Sequence, residues 1–189
     1  MTIAMCYLKK IPLALGLVCG LLATQEAFAQ ECQINLSDSV IDLGQLSHPG
    51  SNNVPSPGNL HALGERTISL NASCPGATKL MLLLQGDRLG DKFRFAQRGQ
   101  VSVTLSNALL DGRNVDLARV KDTTVPDVSG PSIVAVPGDR VIPVSAGLPA
   151  EGSNLSLQIE IRPLVPVAEL SSSEAKTLES NVSFEVRGY

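Results

Sequence analysis

Apolar and polar residues alternate with a period of two through most of the chain beyond residue 30, the signature of strands with one buried face. Leu155, Leu157, Ile159 and Ile161 make the cleanest alternation, and Val101, Val103 and Leu105 make another. Ile68, Leu70, Ala72 and Cys74 alternate up to Pro75-Gly76, which predicts the end of that strand, and the apolar run Leu80 to Leu84 predicts a central strand. Phe93 and Phe95 form a short alternation. Asp111-Gly112 is a tight-turn signal leading into Val115, Leu117 and Val120. Ile133–Val136 and Val141–Val144 predict a hairpin around Pro137-Gly138-Asp139. At the end of the sequence, Val182, Phe184 and Val186 alternate with Ser183, Glu185 and Arg187.

Near the start, Ile34 and Leu36 alternate, and then the phase shifts by one to Ile41 and Leu43. Such a shift predicts a bulge or bend where a strand changes partners. Ser47–Gly64 and Lys121–Pro131 are rich in turn-forming and polar residues and predict loops. Pro163 and Pro166 predict the end of the Leu155–Ile161 strand, and Val167–Glu179 reads as a connector with room for a helical turn. Eight or nine short strands with turns between them indicate a β-sandwich rather than a βαβ fold. The absence of Trp and the placement of the cysteines argue against an antibody-type domain.

The first 29 residues stand outside this pattern. Lys9 and Lys10 precede an apolar run, Ile11 to Ala23, and Ala27-Phe28-Ala29 is a small-residue cleavage site. These are the parts of a secretory signal peptide. The run is too short for a transmembrane helix, which needs about 20 residues. The expected division is a signal peptide over 1–29 and one domain over 30–189. Removing Lys9, Lys10 and Glu26 from the 15 basic and 18 acidic residues leaves 13 and 17, a net charge of −4. No basic patch marks a nucleic-acid partner.

Cys6 and Cys19 fall in the leader, so Cys32 and Cys74 remain. In an exported chain they read as one disulfide, worth about 3–4 kcal/mol in the chain-entropy model. A free catalytic thiol is the competing reading, with no histidine near either cysteine to support it. His48 and His61 lie in the first loop without the further Cys, Asp or Glu that a metal site needs. No nucleophile-elbow or phosphate-binding glycine motif is present, and Ser171-Ser172-Ser173 is loop composition. Sequons at Asn35, Asn71, Asn154 and Asn181 fall in or at the start of strands and read as chance. The residues predict no enzyme, no metal and no cofactor.

Taken together, these residues resemble the subunits of bacterial fimbriae assembled by the chaperone–usher pathway, over essentially the whole of residues 30–189. Cys32, Ile34-Asn35-Leu36 and Val40-Ile41-Asp42-Leu43-Gly44 are similar to the first pilin strand with its cysteine and Leu-Gly ending. Arg66 to Cys74 looks like the second strand with the partner cysteine, and Val101–Leu105 followed by Val115-Asp116-Leu117 like the central strands. Val182 to Tyr189 is similar to the alternating C-terminal strand with its near-terminal tyrosine.

The resemblance implies an all-β fold, an incomplete immunoglobulin-like β-sandwich (the pilin fold) that lacks its last strand and is completed by a donor strand. Val182, Phe184 and Val186 would line a groove, with Ile34, Leu36, Ile41 and Leu43 on its other side. A periplasmic chaperone would lend a strand to the groove, and in the fibre the extension of a neighbouring fimbrial subunit would replace it, a form of β-augmentation. Basic chaperone residues would hold the Tyr189 carboxylate. The partners implied are that chaperone, an outer-membrane usher, neighbouring subunits and a host receptor. The place implied is a fimbrium at the cell surface, reached through the periplasm.

Two features depart from the family pattern. Tyr189 is last, where the family has tyrosine in the penultimate position. Cleavage after Ala29 leaves only Gln30 and Glu31 before Cys32, too few at about 3.3 Å per residue to serve as a donor strand. That predicts a tip or otherwise terminal subunit. Two other readings compete: a receptor-binding adhesin module acting through the Ser47–Gly64 or Lys121–Pro131 loops, and a free-standing secreted or periplasmic β-sandwich that is stable as a monomer.

Overall fold

The computed structural model of the chain describes residues 31–44, 59–121, 126–170 and 177–189, and several of its strands run past the turn residues that were expected to stop them. In chain order they are β1 (Gln33–Leu36), β2 (Leu60–Ala62), β3 (Arg66–Gly86), β4 (Arg88–Leu89), β5 (Lys92–Phe95), β6 (Gly99–Leu110) and β7 (Arg113–Asn114). There follow β8 (Asp116–Val120), β9 (Pro126–Gly130), β10 (Ser132–Ala135), β11 (Arg140–Ser145), β12 (Leu148–Pro149) and β13 (Glu151–Pro166). The single turn of helix α1 (Val167–Leu170) then precedes β14 (Val182–Gly188). The expected leader, His48, the serine run, residues 47–58 of the first expected loop and 122–125 of the second lie outside the described residues.

The fold is all-β and its described pairings are antiparallel. β3 organises it. The N-terminal half of β3 lies between β1 and β13, and β6 continues that sheet beyond β13. Its C-terminal half lies between β14 and β11, and β8 and β9 extend that second sheet. Pro75-Gly76 therefore does not end a strand; it sits at the crossing from one sheet to the other. Pro75 has no N–H to give, and the β13 ladder skips this stretch, jumping from Asn154↔Ser73 to Gly152↔Thr78.

Side chains from both sheets meet in one core. Leu70, Leu105, Leu155 and Ile159 of the first sheet and Leu80, Leu82, Leu84, Leu117 and Val141 of the second are almost completely buried within it. Each such side chain contributes about 1.5–3 kcal/mol relative to exposure. Phe93 is fully buried and Phe95 nearly so, which makes β5 an integral strand.

Four other expectations need correction. β10 and β11 do not form a hairpin. β10 pairs with β6 in the first sheet and β11 with β8 and β3 in the second, so Pro137-Gly138-Asp139 is a crossover. Buried Asp139 holds it: its Oδ2 accepts from Arg119 Nε at 2.8 Å and from the Val136 N–H at 2.9 Å. Second, β13 runs through Pro163 to Pro166. Pro163 needs no N–H there, and its carbonyl accepts from the Leu63 N–H at 3.0 Å. Third, the expected 121–131 loop contains β9, and the expected 47–64 loop contains β2, paired with the end of β13. Fourth, residues 41–44 form no strand. Val40 is 83% exposed, and the Asp42 carboxylate takes the Gly44 N–H at 2.7 Å in a local turn.

Candidate functional site

The apolar alternations at the two ends of the described chain are brought together. β1 and β14 flank β3 and come within 8 Å of each other, Cα to Cα. Among the described residues each pairs with β3 alone, so both leave a free edge.

Which main-chain groups face that edge follows from the antiparallel ladder, where successive residues point alternately toward and away from the partner. The Tyr189 N–H donates to the Lys79 carbonyl at 3.0 Å. Two-residue steps from that bond turn Arg187, Glu185 and Ser183 toward β3. Val182, Phe184, Val186 and Gly188 then turn their N–H and C=O groups outward. Leu84 gives an independent check. It is the partner of Phe184, and it donates to the Asp139 carbonyl at 3.0 Å and accepts from the Gly138 N–H at 2.8 Å. Both its groups point away from β14, as they must if those of Phe184 face the open side. The same logic applies to β1. The Ser37 N–H donates to the Ser69 carbonyl at 2.9 Å, so Asn35 and Gln33 bond toward β3 while Ile34 and Leu36 face outward.

The side chains match this arrangement. Ile34, Leu36, Ile41, Leu43, Val182 and Phe184 are half-buried and pack against the main core, and Val186 is buried in it. Ordinary interior strands of this sandwich bury such residues almost completely, as at Ile159 and Leu105. All six positions are less buried than those interior residues. On the outer face of β14, Arg187 Nε and Glu185 Oε1 pair at 2.5 Å; the pair is exposed, so its contribution is small.

Cys32 and Cys74 form a disulfide with Cα atoms 4.2 Å apart. The bridge ties the start of β1 to β3 and so fixes one wall. At the far end, Tyr189 is 38% exposed, its carbonyl is 3.5 Å from the Thr78 hydroxyl, and partial burial pushes its phenol pKa up. Gly188 was not singled out from the sequence, yet it has a packing reason. A Cβ there would lie 2.9 Å from Thr78 Cγ2. Nothing in the alternation signals this, because it depends on where β3 crosses between sheets.

No family model matches the chain, and no curated protein matches it. Among solved structures it is similar to a chain of a chaperone–tip adhesin complex described as vital for synergistic activation of CFA/I fimbriae biogenesis, with 16% identity and a TM-score of 0.44. The match covers 84% of this chain and 43% of that one, so the present chain spans less than half the length of that neighbour.

Proposed function

We propose that the open edge between β1 and β14 is an acceptor site for a β-strand from another polypeptide, and that the protein is a non-enzymatic structural subunit of a chaperone–usher fimbria. The carrying observation is the outward row at Val182, Phe184, Val186 and Gly188. It offers four N–H and four C=O groups beside a strip of half-covered apolar side chains. An edge of this kind is an association hazard in a free protein. An added strand satisfies both demands at once: its main chain pairs with the row, and its alternate side chains complete the core over Phe184, Val182, Leu36 and Ile34.

In this reading residues 1–29 are a cleaved leader and 30–189 the pilin domain. A periplasmic chaperone fills the site first, the usher exchanges it, and a neighbouring subunit occupies it in the fibre at the cell surface. A tip or terminal position is the finer form of the reading. It turns on how much mature chain precedes Cys32, which N-terminal sequencing of the exported protein measures. Fifteen or more residues there would remove the terminal assignment and leave the acceptor role standing.

Expression in the periplasm with and without a fimbrial chaperone tests the acceptor role. A stoichiometric complex, and aggregation or degradation of the chain alone, are expected. A soluble, fully folded monomer that ignores the chaperone would instead favour a free-standing sandwich.

A further inference from the structure

We propose that, when no donor strand is bound, the β14 edge pairs with the same edge of a second copy of this chain, antiparallel and centred on Val186. This rests on the reading of that edge as an acceptor site and names a second occupant for it. A two-fold contact is self-complementary: if residue i lies opposite residue j of the partner, then j lies opposite the partner's i. β14 pairs with β3 alone among the described residues, and Val182, Phe184, Val186 and Gly188 turn their main-chain groups outward. In an antiparallel pair outward residues must meet outward residues, where they exchange both of their hydrogen bonds. That leaves only a few registers.

Charge selects among them. Glu185 and Arg187 stand side by side on the outer face of β14, exposed and paired at 2.5 Å. Centring on Val186 sets Glu185 opposite the partner's Arg187, and Arg187 opposite the partner's Glu185. Both positions bond to their own β3, so across the axis they form non-hydrogen-bonded pairs, whose side chains approach most closely. Positive and negative charges then alternate around the axis. Centring on Glu185 or on Arg187 would instead set like charges opposite each other, which is destabilising. Centring on Phe184 would set Glu185 and Arg187 opposite the uncharged Ser183 and Asn181.

Side-chain size on the core-facing side points to the same register. Val186 meets Val186, and half-buried Phe184 lies opposite Gly188. A side chain on Gly188 would meet Thr78 Cγ2 at 2.9 Å, and a glycine opposite an aromatic ring leaves room for the ring to cover it. β14 is 7 residues long, against roughly 20–30 residues a side in a standard interface. The pairing is therefore weak. Dilute chains keep the edge open, concentrated chains cover it, and a chaperone strand on the same edge displaces the second copy.

Sedimentation of the soluble mature protein, freed of chaperone, over a concentration series tests this. Wild type is expected to pass from monomer to dimer as concentration rises. Glu185→Arg and Arg187→Glu, each alone, set like charges across the axis and should weaken dimerisation by about tenfold or more. The double variant Glu185→Arg/Arg187→Glu should regain it, and an equimolar mixture of the two single variants should form a heterodimer. Val128→Ser, on β9 at the far side of the same sheet, should change nothing. Monomer or large aggregate in place of a dimer, a dimer indifferent to both single reversals, a double variant and a mixture that both fail to associate, or loss of the dimer in Val128→Ser would overturn the self-pairing. A chain that never dimerises yet gains chaperone-dependent protection along β14 leaves the acceptor reading standing without the second copy. A charge-dependent dimer that no fimbrial chaperone dissolves does the reverse.

Discussion

Leu84 and Phe184 sit opposite each other on β3 and β14, and they turn their main-chain groups in opposite directions. Leu84 closes two hydrogen bonds with Gly138 and Asp139; Phe184 offers the same two groups to the free edge. One residue pair thus joins a bonded flank of β3 to the edge of β14, which pairs with β3 alone among the described residues.

The wall lined by β14 should govern partner binding. Phe184→Ser and Val182→Asp are expected to reduce co-purification with a periplasmic chaperone at least tenfold, a loss of about 1.4 kcal/mol. Val128→Ser, at a position 51% exposed on β9, should leave it unchanged. Equal retention of all three variants would move the partner site elsewhere.

The other wall depends on the disulfide. Replacing Cys32 and Cys74 together by alanine removes a cross-link with a sequence separation of 42. It should lower stability by about 3–4 kcal/mol in the chain-entropy model, read as a lower urea midpoint. Chaperone capture should weaken as well, because β1 pairs with β3 alone among the described residues. A double variant with wild-type stability would show that β1 is held by its ladder and packing without the bridge.

Close approaches of backbone to backbone make sharper stability predictions. A Cβ on Gly99 would lie 2.7 Å from the Phe95 carbonyl oxygen and 2.8 Å from that of Leu164, and neither can swing aside as a side chain could. Gly99→Ala should destabilise by about 1–3 kcal/mol. Gly76→Ala meets nothing within 4 Å and should be neutral or stabilising by up to about 1 kcal/mol through the unfolded chain. Denaturant melts of the two variants separate these outcomes.

Acid should loosen the turn between β6 and β7. Asp111 and Gly112 both take positive φ, at 48° and 77°, as a tight hairpin turn requires. The Asp111 carboxylate accepts the Asn154 N–H at 2.9 Å and the Ser153 N–H at 3.2 Å. These bonds, that from Asn154 foremost, hold its pKa below the ordinary carboxylate value. A carboxylate more acidic in the folded chain than in the unfolded one adds stability above the unfolded value, about 3.9. That contribution is lost as pH falls through the folded value. Asp111→Asn should therefore melt below wild type at neutral pH, and the gap should close in strong acid. A gap that persists unchanged at low pH would assign the effect to shape rather than charge.

The sequence reveals strands more readily than their partners. Period-two runs locate β14, β13 and β6 because each buries one face, and that depends only on local alternation. Whether Pro75-Gly76 ends a strand or carries it between sheets depends on β13 skipping the same stretch, which no local pattern encodes. Pro137-Gly138-Asp139 has hairpin composition, yet Asp139 pairs with Arg119 and commits β10 and β11 to different sheets. The apolar walls at Ile34, Leu36, Val182 and Phe184 were visible as alternations. Their half-burial, the outward row on β14 and the packing of Gly188 on Thr78 required the register.

Amide hydrogen exchange along β14 tests the open edge most directly. In the free protein the amides of Val182, Phe184, Val186 and Gly188 should exchange quickly, while those of Ser183, Glu185 and Arg187, bonded to β3, should be protected. Adding the chaperone should protect the first set and leave the second unchanged. Uniform protection along β14 in the free chain, or no new protection at Phe184 and Val186 in the complex, would contradict an acceptor edge.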